Sequence, residues 1–449
     1  MRPLGGMEYT YWLMSLSSST NFAVAARLEG AVSSDRLSKA LDLVQKAHPL
    51  LNVSIVSDRA SGARFVSSKP NPIPLIVERL PDESDRVIRH GTPLLRYIEA
   101  EKARRFDTEN GPLMRCCLLI HDAQTTTLLV IFHHSIADGL AGVGLVKEVV
   151  AVLNDLSSSP SVSLPHHPEI GPVERYLPPS ARGVRGVWRM MRYGFWLNMI
   201  RGFFRPVHVP VVSAAQPHER TDRFIFTRMS LTESTAVFQA ARARGVTVHA
   251  LLSAAQLLAV KRAYPSKSTI RAFVLSLVDL RSRLGVDTDG ECLDILFSFV
   301  ETYHRITRDT ELFALAQAVQ MQMRLRFDEG FHYYYFPSMA GLLKATQRLR
   351  PLGERGSRIA LRQGALFRPP VMAVSNLGRV STPIGNSPIR LSDISFAVPL
   401  STSGHFGSAV NTFDGRLRWN FTFVEPLISR ECAVALASHS VEVIKQSCL

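Results

Sequence analysis

The spacing of apolar and polar residues predicts a strand, a helix and a second strand at the start of the chain. Residues Asn21–Leu28 have the pattern of a strand. Ser33 and Ser34 are N-cap candidates for a helix that is predicted to end at about Ala47. Residues Leu50–Val56 then return to an extended pattern.

Two apolar strands and two helices follow, and their order matters for the chemistry. The predicted strands Arg115–Ile120 and Thr125–Phe132 are separated by a short polar turn, so we expect them to form a hairpin. One predicted helix precedes them at Pro93–Phe106, and another follows at Leu140–Leu153. Residues 133–139 therefore lie where a strand gives way to a helix.

A second alternation of strands and helices begins after residue 216. Its predicted strands are Arg223–Ser230, Arg271–Asp279, Pro370–Asn376, Leu391–Val398, Gly407–Thr412 and Leu417–Val424. Its predicted helices are Leu231–Arg244, Val248–Tyr264, Thr310–Phe327, Ser338–Arg348 and Ser429–Gln446. This mixture predicts an α+β fold, and 449 residues exceed one ordinary core. We expect one subdomain at residues 1–156, a linker and helix at 157–215, and a second subdomain at 216–449.

Composition and charge limit the class of protein and its partners. Hydrophobic residues make up 46% and charged residues 20%, as in globular proteins. There is no apolar run of about 18 residues, no secretory signal pattern and no paired spacing among five cysteines. We therefore expect a cytoplasmic protein with reduced thiols. The net charge of +14 favours an anionic partner, such as a membrane surface, a carrier protein or a phosphorylated cofactor; the alternative is a basic surface without such a partner. No motif predicts nucleic acid binding.

A basic, aromatic helix is predicted within residues 182–205. At helical spacing, one face of this helix is apolar and another is basic. The apolar face carries Val184, Val187, Trp188, Met191 and Phe195. The basic face carries Arg182, Arg185, Arg189 and Arg192. This pattern is typical of a segment that lies on a membrane surface or docks on an acidic partner. The alternative is a helix whose apolar face packs in the core and whose arginines are solvated.

The segment His133-His134-Ser135-Ile136-Ala137-Asp138-Gly139 carries the candidate chemistry. A neutral imidazole at a strand end can take a proton near neutral pH, so His134 is the candidate general base. His133 alternates to the other face of the extended chain and is expected to be structural, and Gly139 completes the motif. The carboxylate of Asp138 is expected to hold the loop, or to cap the following helix.

Two other segments are expected to contribute to the same site. Arg281 follows an apolar strand and is the candidate partner of Asp138, because a guanidinium can pair with a buried carboxylate; a surface charge is the alternative. Ser375, Asn376 and Gly378 are candidate donors to an oxyanion, or form only a turn between strands.

Two pairs of residues invite a metal interpretation, and we expect no metal at either. His166 and His167 lie between prolines in the Ser/Pro-rich linker, where a solvated loop is the simpler interpretation. His134 and Asp138 lack the further ligands that a metal site needs.

In these residues and their order, the chain resembles the condensation-domain-like acyltransferase superfamily. The likeness rests on the H-H-x-x-x-D-G motif and on four more segments, namely residues 2–12, ALDLVQKAHPLLNVSI at 40–55, VDLRSRL at 278–284 and Ser375–Gly378. The resemblance implies two subdomains of chloramphenicol-acetyltransferase-like fold around a tunnel, with a C-terminal segment completing the N-terminal sheet. The D-F-G-W-G motif of the plant enzymes is absent, with LRWNFTF at 417–423 in the comparable region.

The resemblance also implies the reaction. We expect a free-standing O-acyltransferase without a cofactor, in which an acyl-CoA or acyl carrier protein donates to a hydroxyl of a lipid or secondary metabolite. No serine or cysteine is paired with the motif, so a covalent acyl-enzyme is not expected. The alternatives are amide formation by a condensation enzyme, epimerisation, and a scaffold that binds carrier proteins without turnover.

Overall fold

The computed structural model describes residues 2–58, 62–67, 71–82, 88–159, 161–207, 209–286, 292–334, 372–381, 387–402 and 404–449. The described helices are α1 (Gly6–Ser15), α2 (Ser34–Ala47), α3 (Pro93–Ala103), α4 (Gly139–Ser158), α5 (Gly183–Phe204), α6 (Leu231–Ala243), α7 (Val248–Arg262), α8 (Arg281–Leu284), α9 (Leu312–Asp328) and α10 (Arg430–Cys448). The described strands of the N-terminal half are β1 (Arg2–Pro3), β2 (Phe22–Glu29), β3 (Val53–Asp58), β4 (Gly62–Ser67), β5 (Leu75–Arg79), β6 (Ile88–His90), β7 (Met114–Ile120) and β8 (Thr125–Phe132). Those of the C-terminal half are β9 (Thr221–Thr227), β10 (Thr269–Asp279), β11 (Phe297–Thr307), β12 (Met372–Val380), β13 (Arg390–Ala397), β14 (Phe406–Phe413) and β15 (Arg416–Glu425). The helix predicted at Ser338–Arg348 and the first two residues of the strand predicted at Pro370–Asn376 lie outside the described residues.

The strands form two large sheets and one small sheet. The first large sheet has the order β13-β2-β8-β7-β5, and the second has the order β11-β10-β12-β14-β15-β9-β6. The small sheet is β1-β4-β3. Parallel and antiparallel pairs occur in both large sheets, and each sheet contributes to its own main hydrophobic core. The predicted α+β class with two subdomains is confirmed.

Each half of the chain supplies a strand to the sheet of the other half. Strand β13 pairs antiparallel with β2 in the first sheet, and β6 pairs antiparallel with β9 in the second. A buried ion pair between Lys102 Nζ and Asp222 Oδ2, at 2.5 Å, joins α3 to β9. The expected crossing of a C-terminal segment is confirmed. The subdomain boundaries at residues 156 and 216 stay a prediction.

Local sequence explains where several helices begin. The side chains of Ser33 and Ser429 accept the N–H groups of Arg36 and Cys432, which satisfies free donors at the starts of α2 and α10. Strands β7 and β8 lie inside the first sheet and are buried along almost their whole length. That position explains why their sequences are continuous apolar runs rather than alternating ones.

Several elements were missed because their sequences lack a clear period. Helix α1, GMEYTYWLMS, is buried nearly all round, so no single apolar stripe marks it. Strand β11 pairs with β10 along its full length, but its sequence, FSFVETYHRIT, carries charged residues among the apolar ones. Strands β1, β5 and β6 have two to five residues and lie at sheet margins, and β4 is the central strand of the small sheet.

No single helix among the described residues is long and apolar enough to span a membrane. Helices α6 and α7 reach the required length and composition only when they are counted together, across a bend of 102°.

Candidate active site

Residues 133–139 form a buried turn between β8 and α4. The N–H of His133 donates to the carbonyl of Leu113 at 2.9 Å, which fastens the start of the turn to the residue before β7. The N–H of Ile136 donates to the carbonyl of His133 at 3.1 Å and closes the turn. Residues 133 to 138 are all buried, so the turn has one fixed shape.

A backbone carbonyl sets the tautomer of His134. Its Nδ1 lies 2.9 Å from the carbonyl oxygen of Ala137, which can only accept a hydrogen bond, so Nδ1 carries the proton. Nε2 is left with a lone pair, as a general base requires. The ring of Tyr11 stacks on the imidazole with centroids 4.0 Å apart, and Phe22 and Phe297 contact it at 4.9 and 5.8 Å. These contacts hold the imidazole in one orientation.

Burial keeps His134 neutral. It lowers the pKa of the imidazole to about 4, and the negative charge of Asp138 and the hydrogen bond to Ala137 oppose this shift. At neutral pH the ring is therefore uncharged and can accept a proton. The carboxylate of Asp138 favours the imidazolium that would then form.

His133 has a different environment from its neighbour. Its Nδ1 accepts the N–H of Ser135 at 3.2 Å and lies 2.6 Å from the hydroxyl of the same residue. Burial lowers the pKa of His133 to about 3, and His133 does not line the cleft described below. The geometry is that of a residue that shapes the turn.

Arg281 connects the motif turn to the C-terminal half of the chain. One nitrogen, Nη2, donates to Asp138 at 3.0 Å and to Asp294 at 2.7 Å. The other, Nη1, donates to Asp279 at 2.8 Å. Arg281 is 8% exposed, so the surface-charge interpretation is wrong, and the structure brings together the two residues that the sequence paired.

Asp138 accepts hydrogen bonds from both halves of the chain. Its carboxylate accepts the N–H of Ala141 at 3.0 Å, which caps α4, and the N–H of Leu296 at 3.0 Å, across the subdomain boundary. Burial acts to raise the pKa of Asp138, but Arg281 and these N–H donors outweigh it and lower the pKa. Asp138 is therefore ionised, and the cap and the ion pair occur together.

Asp294 is the opposite case within the same cluster. Burial raises its pKa to about 8, and the charge of Asp138 adds to the shift that Arg281 opposes. Its Oδ2 is buried and has no partner among the described residues. Two carboxylates thus share one guanidinium nitrogen, and Asp294 is the one that holds a proton more readily.

His134 and Asp138 line a cleft between the two halves of the chain. The cleft has an empty volume of about 510 Å³, part of it open to solvent. Its lining comes from β2, the motif turn, β10 to β13 and the residues that follow them: Phe22, His134, Asp138, Gly139, Leu140, Leu277, Val278, Asp279, Arg281, Phe297, Ser375, Asn376, Leu377, Phe396 and Val398. The described walls are mostly apolar, which suits an acyl chain better than a charged group.

Gly139 lines this cleft at a position where a side chain would be crowded. A Cβ at this position would lie 3.1 Å from a methyl carbon of Leu377 and 3.7 Å from the ring of Phe396. The glycine therefore lets the start of α4 approach the opposite wall closely.

The predicted oxyanion segment is a strand rather than a turn. Ser375, Asn376 and Gly378 lie within β12, which has an irregularity between Asn376 and Arg379. Ser375 and Asn376 line the cleft. Gly378 has a φ of +74° and gives its N–H to Asn376 Oδ1 at 2.8 Å. That N–H is engaged by Asn376, and Gly378 is not among the described residues that line the cleft, so its role as an oxyanion donor stays a prediction.

Sequence reasoning missed two residues of the site. Tyr11 lies inside the segment that carried the family resemblance, but no pattern indicated that it would stack on His134. Asp294 has no sequence signal, because its role depends on the fold bringing it to Arg281.

A histidine–glutamate cluster lies outside the cleft. His48 Nε2 and His167 Nε2 lie 2.6 and 3.0 Å from the two oxygens of Glu148, and their rings stack at 4.2 Å. The three residues could hold a metal ion. In this arrangement the carboxylate of Glu148 accepts a hydrogen bond from Nε2 of each histidine, so both Nε2–H groups have a partner without a metal. His167 is buried, so its assignment to a solvated loop is wrong, whereas His166 is exposed.

Comparison with protein families identifies the chain. The condensation domain family matches residues 5–276, which is more than half of the chain and includes the whole motif turn. This chain belongs to the condensation domain family. A second family, described as the phthiocerol/phthiodiolone dimycocerosyl transferase C-terminus, matches residues 220–419. The resemblance to the condensation-domain-like acyltransferase superfamily that was noted from the sequence is confirmed.

Curated relatives within the condensation domain family include peptide synthetases. Phosphinothricin tripeptide synthetase PhsC from Streptomyces viridochromogenes is 26% identical over 174 residues, or 37% of this chain and 15% of that protein. The chain thus spans a small part of the length of the curated relatives that it matches.

Solved structures of two other proteins share the fold. TRI3 trichothecene 15-O-acetyltransferase from Fusarium sporotrichioides superposes with a TM-score of 0.74 at 14% identity, covering 100% of this chain and 95% of that chain. Polyketide synthase associated protein 5 from Mycobacterium tuberculosis gives a TM-score of 0.65 at 16% identity, covering 100% and 97%. At these identities the likeness shows the fold alone.

Proposed function

We propose that this protein transfers an acyl group from a thioester to a hydroxyl group of a lipid or secondary metabolite. An acyl-CoA or an acyl carrier protein is the donor. The observation that carries the proposal is the tautomer of His134, whose Nδ1–H is held by Ala137 while Nε2 remains free as a base in the cleft.

The reaction needs one proton transfer in each direction. His134 Nε2 takes the proton of the acceptor hydroxyl as its oxygen attacks the thioester carbonyl. The tetrahedral oxyanion would be stabilised by the hydroxyl of Ser375 or the amide of Asn376. The C–S bond then breaks, and the leaving thiolate takes the proton from the imidazolium. Acyl transfer is complete without any net change in protons on the enzyme.

Direct transfer fits the residues of the cleft better than a covalent intermediate. The described lining contains no cysteine. Cys116 and Cys117 lie in β7, and burial raises the pKa of each thiol, which keeps both unreactive.

A hydroxyl acceptor is supported by two of the comparisons. The C-terminal family match is described as a phthiocerol/phthiodiolone dimycocerosyl transferase, and one structural neighbour is an O-acetyltransferase. The curated matches to peptide synthetases instead favour amide formation from carrier-bound substrates, which is the second candidate.

The test is thiol release from a panel of acyl-CoA and acyl-carrier thioesters with pooled alcohols and amines. We expect acceptor-dependent release that falls by roughly a hundredfold to ten-thousandfold in His134→Ala. The matched control is His166→Ala, an exposed histidine outside the cleft. Mass spectrometry of the product distinguishes an ester from an amide. Full activity in a folded His134→Ala protein would contradict the mechanism.

A further inference from the structure

We propose that helix α5 docks this protein on the surface of an anionic phospholipid membrane. This inference is independent of the acyl-transfer chemistry, because it rests on a different face of the molecule.

The apolar face of α5 is exposed along the length of the helix. Trp188 and Phe195 are each 69% exposed, Val184 and Phe203 are 76%, and Met191 is 58%. Large apolar residues are costly to leave in water together, and such a stripe marks an interaction site. The interpretation of this face as core-packed is therefore wrong for the described structure.

The opposite face of α5 fixes the orientation of the stripe. Leu197 is 2% exposed within the C-terminal core, and Trp196 and Phe204 contact Tyr303 at 6.3 and 5.6 Å between ring centroids. The guanidinium of Arg326 lies over Trp196 at 4.0 Å. With this face packed, α5 cannot rotate to bury its exposed stripe.

The flank of the stripe is positively charged. Arg182, Arg185, Arg189 and Arg192 are all exposed, and residues 183–204 contain no Asp or Glu. Arg182 and Arg189 donate to the backbone carbonyls of residues 175 and 180 and not to carboxylates there, so those bonds leave the charge uncompensated.

The combination favours a membrane over an apolar protein groove. Trp and Phe sit well at the boundary of headgroups and acyl chains, and arginines beside them pair with lipid phosphates. Each arginine near an anionic surface contributes roughly fivefold to the partition coefficient. An exposed apolar stripe flanked by arginines is typical of a helix that lies in the membrane interface.

The experiment is flotation of the full chain with vesicles of phosphatidylcholine containing about 30% phosphatidylglycerol, compared with pure phosphatidylcholine. We expect binding to the anionic vesicles that weakens as salt is added. The double variant Trp188→Ser/Phe195→Ser should bind at least about tenfold more weakly, because both side chains would no longer enter the interface. Leu231→Ser is the matched control, since this leucine is 50% exposed at the start of α6.

Tryptophan fluorescence gives a second readout that is specific to the helix. Trp12 and Trp419 are 8% and 0% exposed, and Trp196 packs against Tyr303 and Arg326. A blue shift on vesicle addition should therefore come mainly from Trp188 and be lost in Trp188→Phe. Because the altered residues are exposed, thermal unfolding should stay close to wild type in every variant. Equal binding by wild type and the double variant would overturn the proposal. So would a stripe-dependent dimer, or binding to an acidic carrier protein without binding to vesicles.

Discussion

Removal of the Arg281 guanidinium should destabilise the protein strongly, because it pairs with two buried carboxylates. Arg281→Met would leave Asp138 and Asp294 buried without their cation, with side chains only 4% and 3% exposed. Breaking a buried ion pair in this way costs about 3–5 kcal/mol. The third contact, to Asp279, adds little because that side chain is 38% exposed. The expected loss is therefore about 3–5 kcal/mol of unfolding free energy.

Arg281→Lys should give an intermediate result. One ammonium group cannot reproduce the geometry in which Nη2 reaches two carboxylates and Nη1 a third. Loss of one or two of these charge-assisted hydrogen bonds should cost about 1.5–3 kcal/mol. Activity should fall as well, because Asp138 then holds the turn of His134 less firmly.

Urea unfolding followed by circular dichroism and by fluorescence measures these losses. Arg283→Met is the matched control, since Arg283 is an exposed arginine two positions away whose guanidinium lies over Phe327. A double-mutant cycle with Asp138→Asn, which keeps the helix cap, should give a coupling energy above about 1.5 kcal/mol. If Arg281→Met were no more destabilising than Arg283→Met, the buried network would not stabilise the fold, and this reasoning would be refuted.

Four further outcomes test the site. Because burial lowers the pKa of His134 to about 4, kcat/KM should stay constant down to about pH 5 and fall only near pH 4. A fall in kcat/KM near pH 6.5 would contradict the burial argument. The contribution of His134 to the free energy of unfolding should also decline as pH falls from 6.5 toward 4, since the unfolded imidazole binds the proton first. Ser375→Ala should lower kcat by about a hundredfold to a thousandfold if its hydroxyl is an oxyanion donor, and Asn376→Ala measured alongside separates the two candidates. Asp294→Asn should be nearly neutral below about pH 4 and increasingly stabilising relative to wild type toward pH 8. Burial raises the folded pKa of Asp294 to about 8, so the unfolded carboxyl loses its proton first and the stability of the wild type falls as pH rises through this range. A constant difference across this range in urea unfolding would refute the assignment.

Local patterns in the sequence predicted most of the elements that position the site. The hairpin of β7 and β8, the turn at 133–139 and helix α4 could be predicted because apolar runs and cap residues act over a few neighbouring positions. The pairing of Asp138 with Arg281 was predicted from the chemistry of a buried carboxylate, and the family resemblance supported it. The crossing strand came from the resemblance alone, because no local period indicates it.

The tertiary structure decided what the residue types alone left open. Asp294 reached Arg281, and Tyr11 reached His134, only because distant segments fold onto the motif turn. The N–H of Gly378 is used within its own strand, a fact that depends on side-chain placement.

The helix at 182–205 shows the difference most clearly. Its sequence by itself determined an amphipathic helix with an arginine side and an apolar side. Periodicity reports which residues share a face, but not which face meets the core. Packing of Trp196, Leu197 and Phe204 on the C-terminal core made that choice, and it left Trp188 and Phe195 exposed to solvent.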